Sequence, residues 1–201
     1  MIATRRKAPA LSRETIRTAA LALIDEDGLD RFSTRKLGRA LGCEAMAIYW
    51  HYPNKDAVLD AVVDELMASV KRALRARRDH WVDVLRDVAR AYREIAHDHP
   101  AAFRLLATRR FASEGMYAFL EELFELARTH GVTDRDAARC YRVVSSYCNG
   151  FALNELAAPR PHTAVLRKKY PRVDAVSAWL EPRHLDDIFR FGLELQLAAL
   201  A

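Results

Sequence analysis

Apolar side chains recur at three- and four-residue spacing through most of the chain. Ile16, Ala19, Ala20, Leu23 and Ile24 form the first such set, Leu37, Ala40 and Leu41 the second. Val58, Leu59, Val62, Val63, Leu66 and Val70 form a longer one. That period puts each set on one face of a helix. The breaks fit the same reading. Ser12 caps a first helix, Glu14 suits the positive end of its dipole, and Gly28 stops it. A short second helix starts at Ser33 and ends at Gly42; a third covers Cys43 to Trp50 and is ended by Pro53. Asn54 caps a long fourth helix, 54–77, fraying in the basic run Arg75-Ala76-Arg77-Arg78. Helices are then predicted near 80–98, 100–108, 113–129, 134–157 and 182–199, separated at Pro100, at Gly131 and by the segment with Pro159, Pro161 and Pro171. No window alternates like a strand between hairpin turns, and Asp27-Gly28 is flanked by helical patterns on both sides. The expectation is an all-α fold: a three-helix head at 1–55 and a larger helical body at 56–201, linked by the helix at 54–77.

Composition narrows the classes. With 51% hydrophobic and 29% charged residues in 201, the chain buries a real core and is not disordered. No apolar run reaches the ~18 residues of a membrane span. The start, Met1-Ile2-Ala3-Thr4-Arg5-Arg6-Lys7, leads into no signal-type apolar stretch. Cys43, Cys140 and Cys148 show no CxxC spacing, so neither a disulfide framework nor a zinc finger is expected. Cys140 and Cys148 lie about 12 Å apart on one helix face, too far to bridge; they read as core, with redox sensing as the lesser alternative. A soluble cytoplasmic protein is expected. Of the net charge of +5, +4 falls in residues 1–55 and +1 in the rest. A basic head on a neutral body is the footprint of a nucleic-acid binder, although a solvated basic tail gives the same sum.

The segment Thr34 to Tyr49 fits two short helices about a tight glycine turn. Leu37, Leu41, Cys43 and Ile48 are spaced to pack on the first helix. Glu44, Ala45, Met46, Ala47 and Tyr49 then face outward. In a helix-turn-helix the second helix enters the major groove and its first residues reach base edges. Ala45 and Ala47 allow close approach and suit thymine methyls, and Arg35 has the fork to read guanine O6 and N7. Lys55, beside the N-terminus of helix four, can share one phosphate with the free backbone amides there. An αα-hairpin with no nucleic-acid partner has the same spacing.

Thr34-Arg35-Lys36-Leu37, Leu41-Gly42, Ile48-Tyr49-Trp50-His51 and Asn54-Lys55 together resemble the DNA-binding head of the TetR/AcrR family of transcriptional repressors, and within it the tetracycline-responsive branch. The resemblance runs over residues 12–59. It extends more loosely into the body through Trp81 and Gly150-Phe151-Ala152-Leu153-Asn154-Glu155-Leu156. It implies that Thr34 contacts phosphate, Arg35 a guanine, Tyr49, Trp50 and His51 the backbone at the helix exit, and Lys55 a phosphate. Ala45, Met46 and Ala47 replace more polar base-reading residues, so the operator sequence does not carry over. The apolar surplus in 134–157 and 182–199 predicts a homodimer on a palindromic operator, the alternative being that both segments serve only the monomer core, and the family implies the same two helices. It also implies an effector pocket in the body. Positions that hold polar drug ligands in the tetracycline-responsive branch read Lys71, Val88, Arg104 and Ala107 here. An apolar, aromatic-lined cavity from Val88, Tyr92, Phe103, Arg104, Tyr147 and Phe151 is therefore expected, for an unidentified small molecule, although Val88 and the aromatic residues equally fit ordinary core.

Catalytic chemistry is not expected. No HExxH, Walker loop, dinucleotide GxGxxG or nucleophile signature occurs. His97-Asp98-His99 would need ligands at i and i+2, which point apart on a helix. No metal, cofactor or membrane partner is called for. The competing reading is a DNA-independent helical interaction protein or small-molecule-binding protein.

Overall fold

A computed structural model describes residues 11–76, 80–109, 113–157 and 169–198, and among them every regular element is helical. Eleven α-helices occur there: α1 (Arg13–Asp27), α2 (Thr34–Leu41), α3 (Ala45–Tyr49), α4 (Lys55–Leu66), α5 (Ala68–Arg75), α6 (Trp81–Asp98), α7 (Pro100–Thr108), α8 (Glu114–Thr129), α9 (Asp134–Glu155), α10 (Pro171–Ser177) and α11 (Leu185–Ala198). The N-caps are those the sequence signals. Ser12 takes the Thr15 N–H on its hydroxyl while the Thr15 hydroxyl accepts from the Ser12 N–H, a reciprocal box. Ser33 and Asn54 cap α2 and α4 more simply, their side-chain oxygens accepting from the Lys36 and Ala57 N–H groups. Gly28, at φ 84°, ends α1.

The chain divides into two compact units, residues 1–72 with 94–123, and residues 73–93 with 124–201. In the first, α1 packs against α2, α4 and α7. Ile16, Ala20, Ile24, Leu37, Ile48, Val58, Val62 and Phe103 lose all contact with solvent there. Each large apolar side chain so buried contributes about 1.5–3 kcal/mol. In the second, α9 lies against α11. Ala137, Cys140, Val144, Cys148 and Ala152 form the inner stripe of α9, and Phe189, Leu193 and Leu197 that of α11. Burial, with Asp136 nearby, pushes the Cys140 thiol up, which lowers its thiolate fraction and works against redox sensing.

Three departures from the periodicity stand out. The helix expected over 54–77 is interrupted at Met67, where ψ opens to −4°. No proline or glycine marks the place, and Met67 is buried. Pro171 starts a helix rather than breaking one, because proline at the first helical position has its φ already set and lacks only an N–H that would be unpaired anyway. The last helix begins at Leu185, after a 3-10 turn at Pro182–His184. The expected break at Pro159 and Pro161, Arg77 and Arg78 of the basic run, and the N-terminal Arg5, Arg6 and Lys7 lie outside the described residues.

Candidate nucleic-acid interface

The turn between α2 and α3 depends on two glycines. Gly42 closes α2 in the left-handed conformation, at φ 69°. The Cys43 N–H then donates to the Gly38 carbonyl at 2.9 Å. A Cβ at Gly38 would stand 2.7 Å from the Cys43 carbonyl oxygen and 3.2 Å from the Ala45 nitrogen. Only a residue without a side chain lets the two helices approach this closely.

Ile48 is the one buried residue of α3 and pins it to the core. Thr34 and Tyr49 share a hydroxyl hydrogen bond of 3.1 Å, fixing the start of α2 to the end of α3. The opposite face of α3 is bare. Glu44 is exposed, and Ala45 and Ala47 are half-buried. Met46 is 69% exposed and Trp50, one turn on, 89% exposed. Two large apolar side chains left uncovered on a five-residue helix and its C-cap need a partner.

The cations sort by whether they are already engaged. Lys36 is paired with Asp27 at 2.5 Å, and this contact holds the Asp27 carboxyl below its usual range. Arg35 stands exposed beside it, with no ion pair among the described residues. Lys55 is exposed at the first position of α4, its ammonium donating to the Phe32 carbonyl at 3.1 Å. Asn54 accepts the Ala57 N–H at 2.8 Å, while the first amides of α4 have no intrahelical acceptor. The His51 carbonyl accepts from Arg13 at 2.6 Å. That guanidinium stacks 4.3 Å above the Tyr52 ring, whose hydroxyl donates to the Arg13 carbonyl at 2.9 Å. Sequence reasoning missed Arg13 and Tyr52, because partners 38 and 39 residues apart leave no local pattern.

The residues expected around an effector divide between the units. Val88, Tyr92, Tyr147 and Phe151 belong to the second, Phe103 and Arg104 to the first. Phe103 is wholly buried and Arg104 exposed. In the second unit the Tyr92 hydroxyl donates to Asn149 Oδ1 at 3.0 Å. The Tyr147 ring packs 5.7 Å from Phe151 and stacks on Phe189 at 5.5 Å. Arg93, which periodicity did not single out, grips Glu155 at 2.7 and 2.5 Å and Asp186 at 2.8 Å. Its guanidinium lies 4.7 Å from the Phe189 ring centre. Among the described residues no three metal-ligating side chains converge, and no helix is long and apolar enough to cross a membrane.

On the dimer helices, Leu193 and Leu197 belong to the core of the protomer, whereas Val143 and Leu153 on α9 and Phe191 and Leu195 on α11 are exposed. Leu200 lies outside the described residues.

Residues 16–62 match the family model described as bacterial regulatory proteins, tetR family, and residues 75–201 match the tetracyclin repressor-like C-terminal domain. The class D tetracycline repressor of Escherichia coli is 33% identical over 158 residues, which are 78% of this chain and 70% of that protein. A possible TetR family transcriptional regulator from Streptomyces coelicolor A3(2) superposes with a TM-score of 0.78 at 29% identity, covering 94% of this chain and 98% of the other. A TetR variant from Acinetobacter baumannii, solved in complex with minocycline, gives 0.73 at 27% identity, over 94% and 96% of the two chains.

Proposed function

Because this chain belongs to the TetR family of bacterial regulatory proteins, we propose which of its side chains carry out the work of a ligand-responsive DNA-binding repressor. It binds operator DNA as a homodimer, so two recognition helices address a palindromic site one helical turn apart. Residues 1–55 hold the operator, and residues 56–201 pair the protomers and take the effector. Within the head, α3 enters the major groove with Glu44, Ala45, Met46 and Ala47 at the base edges. Arg35 reads a guanine from the start of α2. Thr34, Tyr49, Trp50, His51 and Lys55 hold the backbone.

The observation that carries this assignment is the bare face of α3. Met46 and Trp50 are among the most exposed large apolar side chains described, one on α3 and the other at its C-cap, and exposed Arg35 and Lys55 flank them in the sequence. Dimer contacts are assigned to Val143 and Leu153 on α9 and to Phe191 and Leu195 on α11. The effector is assigned to the second unit, on Val88, Tyr92, Tyr147 and Phe151. With Lys71, Val88, Arg104 and Ala107 where the resemblance puts polar drug ligands, an apolar or aromatic molecule suits this chain better than a metal-bound tetracycline. It weakens operator binding by as much as its affinity differs between the DNA-competent conformation and the other. The protein acts in the cytoplasm and catalyses nothing; its output is a binding equilibrium.

Selection of duplexes from random DNA, followed by fluorescence anisotropy, tests the assignment. Arg35→Ala costs about 1–3 kcal/mol and relaxes one base pair per half-site. Lys55→Ala weakens binding to every duplex and flattens its salt dependence. Equal affinity of the wild type for all duplexes refutes it.

A further inference from the structure

α4 carries three carboxylates at four-residue spacing, Asp56, Asp60 and Asp64, along one face. Asp56 and Asp60 are met by Arg109, and Asp64 by Ser113. Arg109, which follows the last turn of α7, donates to Asp60 Oδ1 at 2.8 Å and also to Asp56. The Ser113 hydroxyl donates to Asp64 Oδ1 at 2.8 Å. A Cβ on Gly115 would fall within the Asp64 carboxylate, so a side chain there would displace that carboxylate.

The place of this contact matters more than its strength. Asp56 is the residue after Lys55, in the first turn of α4 where the free amides lie, and its side chain is 72% exposed. A carboxylate there suits the helix dipole but repels a phosphate seeking the same amides. Asp60 follows one turn later. Two unneutralised acids beside Lys55 would offset the charge that the ammonium brings to DNA. Arg109 lies more than 50 residues along the chain from the recognition helix and is the only cation given an ion pair with either acid among the described residues.

We infer that Arg109 belongs to the operator-binding machinery without touching DNA: its charge, shared between Asp56 and Asp60, cancels one of their two negative charges, so that Lys55 and the amides of α4 meet phosphate less opposed. The inference rests on the phosphate role of Lys55 proposed above. Arg109 is thus a positioning residue for charge, and its effect is independent of base sequence, as phosphate contacts are.

The test uses the full-length dimer, a duplex selected by the wild type from random sequence, and a scrambled duplex of the same composition. Arg109→Ala lowers affinity for both duplexes by about tenfold. Asp56→Asn and Asp60→Asn added to Arg109→Ala restore wild-type affinity, although the ion pairs are still absent. A clamp that merely holds α4 would not be rescued this way. A triple variant as weak as Arg109→Ala therefore overturns the inference, as does an Arg109→Ala protein that is folded and binds like the wild type. If Arg109→Ala does not fold, Asp56→Asn/Asp60→Asn alone decides. It binds DNA more tightly than the wild type at low salt if the acids oppose phosphate, and equal or weaker binding overturns the inference. Lys55→Ala separates the two readings, because unchanged affinity there removes the phosphate role itself.

Discussion

Replacing Gly38 with alanine sets two effects of opposite sign against each other. In an open helix interior alanine is better than glycine by about 1 kcal/mol, so propensity alone predicts a more stable protein. The new Cβ, however, stands 2.7 Å from the Cys43 carbonyl oxygen. A carbon–oxygen contact relaxes only near ~3.3 Å, so α2 and α3 must part by roughly 0.6 Å. The obstructing atom is backbone, and the turn it belongs to is tied by the Cys43 N–H to the Gly38 carbonyl. Strain of this kind costs about 1–3 kcal/mol. It outweighs the propensity gain by about 1 kcal/mol, which in a chain of this length lowers Tm by roughly 2–4 °C. The functional loss is larger, because the displaced element is the recognition helix and the dimer presents two of them. A loss of about 1 kcal/mol per half-site, at the low end for one good base contact, sums to about 2 kcal/mol, or roughly 30-fold in Kd. Differential scanning calorimetry and anisotropy on the selected duplex measure both. A Gly38→Ala protein with unchanged or raised Tm and full operator affinity would refute this account of the turn.

Three further outcomes follow from the same coordinates. Replacing thymine by deoxyuridine in the selected operator weakens binding by about 0.8 kcal/mol, roughly fourfold, for each methyl buried against Met46, Ala45 or Ala47; Met46→Ala lessens that sensitivity, and wild-type indifference to the methyls would exclude apolar readout. Phe191→Glu with Leu195→Glu, both exposed in the protomer, gives a folded monomer by sedimentation and circular dichroism, whereas a dimer of wild-type affinity would move the interface elsewhere. Glu194 is held below its ordinary value of 4.5 chiefly by its hydrogen bond from Arg86, so its stabilisation is present above that pH and lost as pH falls through the lower folded value. The Tm gap between wild type and Glu194→Gln therefore closes on acidification, and a gap that widens in acid contradicts the pairing.

Where the sequence is explicit, local chemistry decides. Pro100 at the first position of α7 and Thr133 capping α9 fix those starts to the residue, because a cap is made by a side chain within three residues of the groups it satisfies. Period alone was less discriminating on α11. Leu193, Leu195 and Leu197 are equally apolar, yet Leu193 and Leu197 enter the protomer core while Leu195 is left bare. The heptad-like spacing says that two faces exist; only the neighbour, α9, determines which is inside. The bend at Met67 was illegible for a related reason. It contains no helix breaker, and Met67, where α4 ends, is a buried methionine with nothing in the local sequence to mark it.

Charge shows most clearly what a linear reading cannot supply. Residues 1–55 carry a net +4, which suggests a broadly positive head. In the fold several of those cations are already satisfied. Arg17 is paired with Glu65 at 2.7 Å, Lys36 with Asp27, and Arg13 with a backbone carbonyl and the Tyr52 ring. Arg35 and Arg39 on α2 remain exposed without an ion pair among the described residues, and Lys55 is held by the Phe32 carbonyl and ring, with no ion pair among those residues. The sum over the sequence therefore overstates the number of cations available to phosphate, and Arg109 offsets from outside the head one of the two charges that Asp56 and Asp60 bring. Those pairings join residues 9 to 53 positions apart. A charge at such a distance along the chain has no periodic signature, so its role emerges only once folding has chosen its partner.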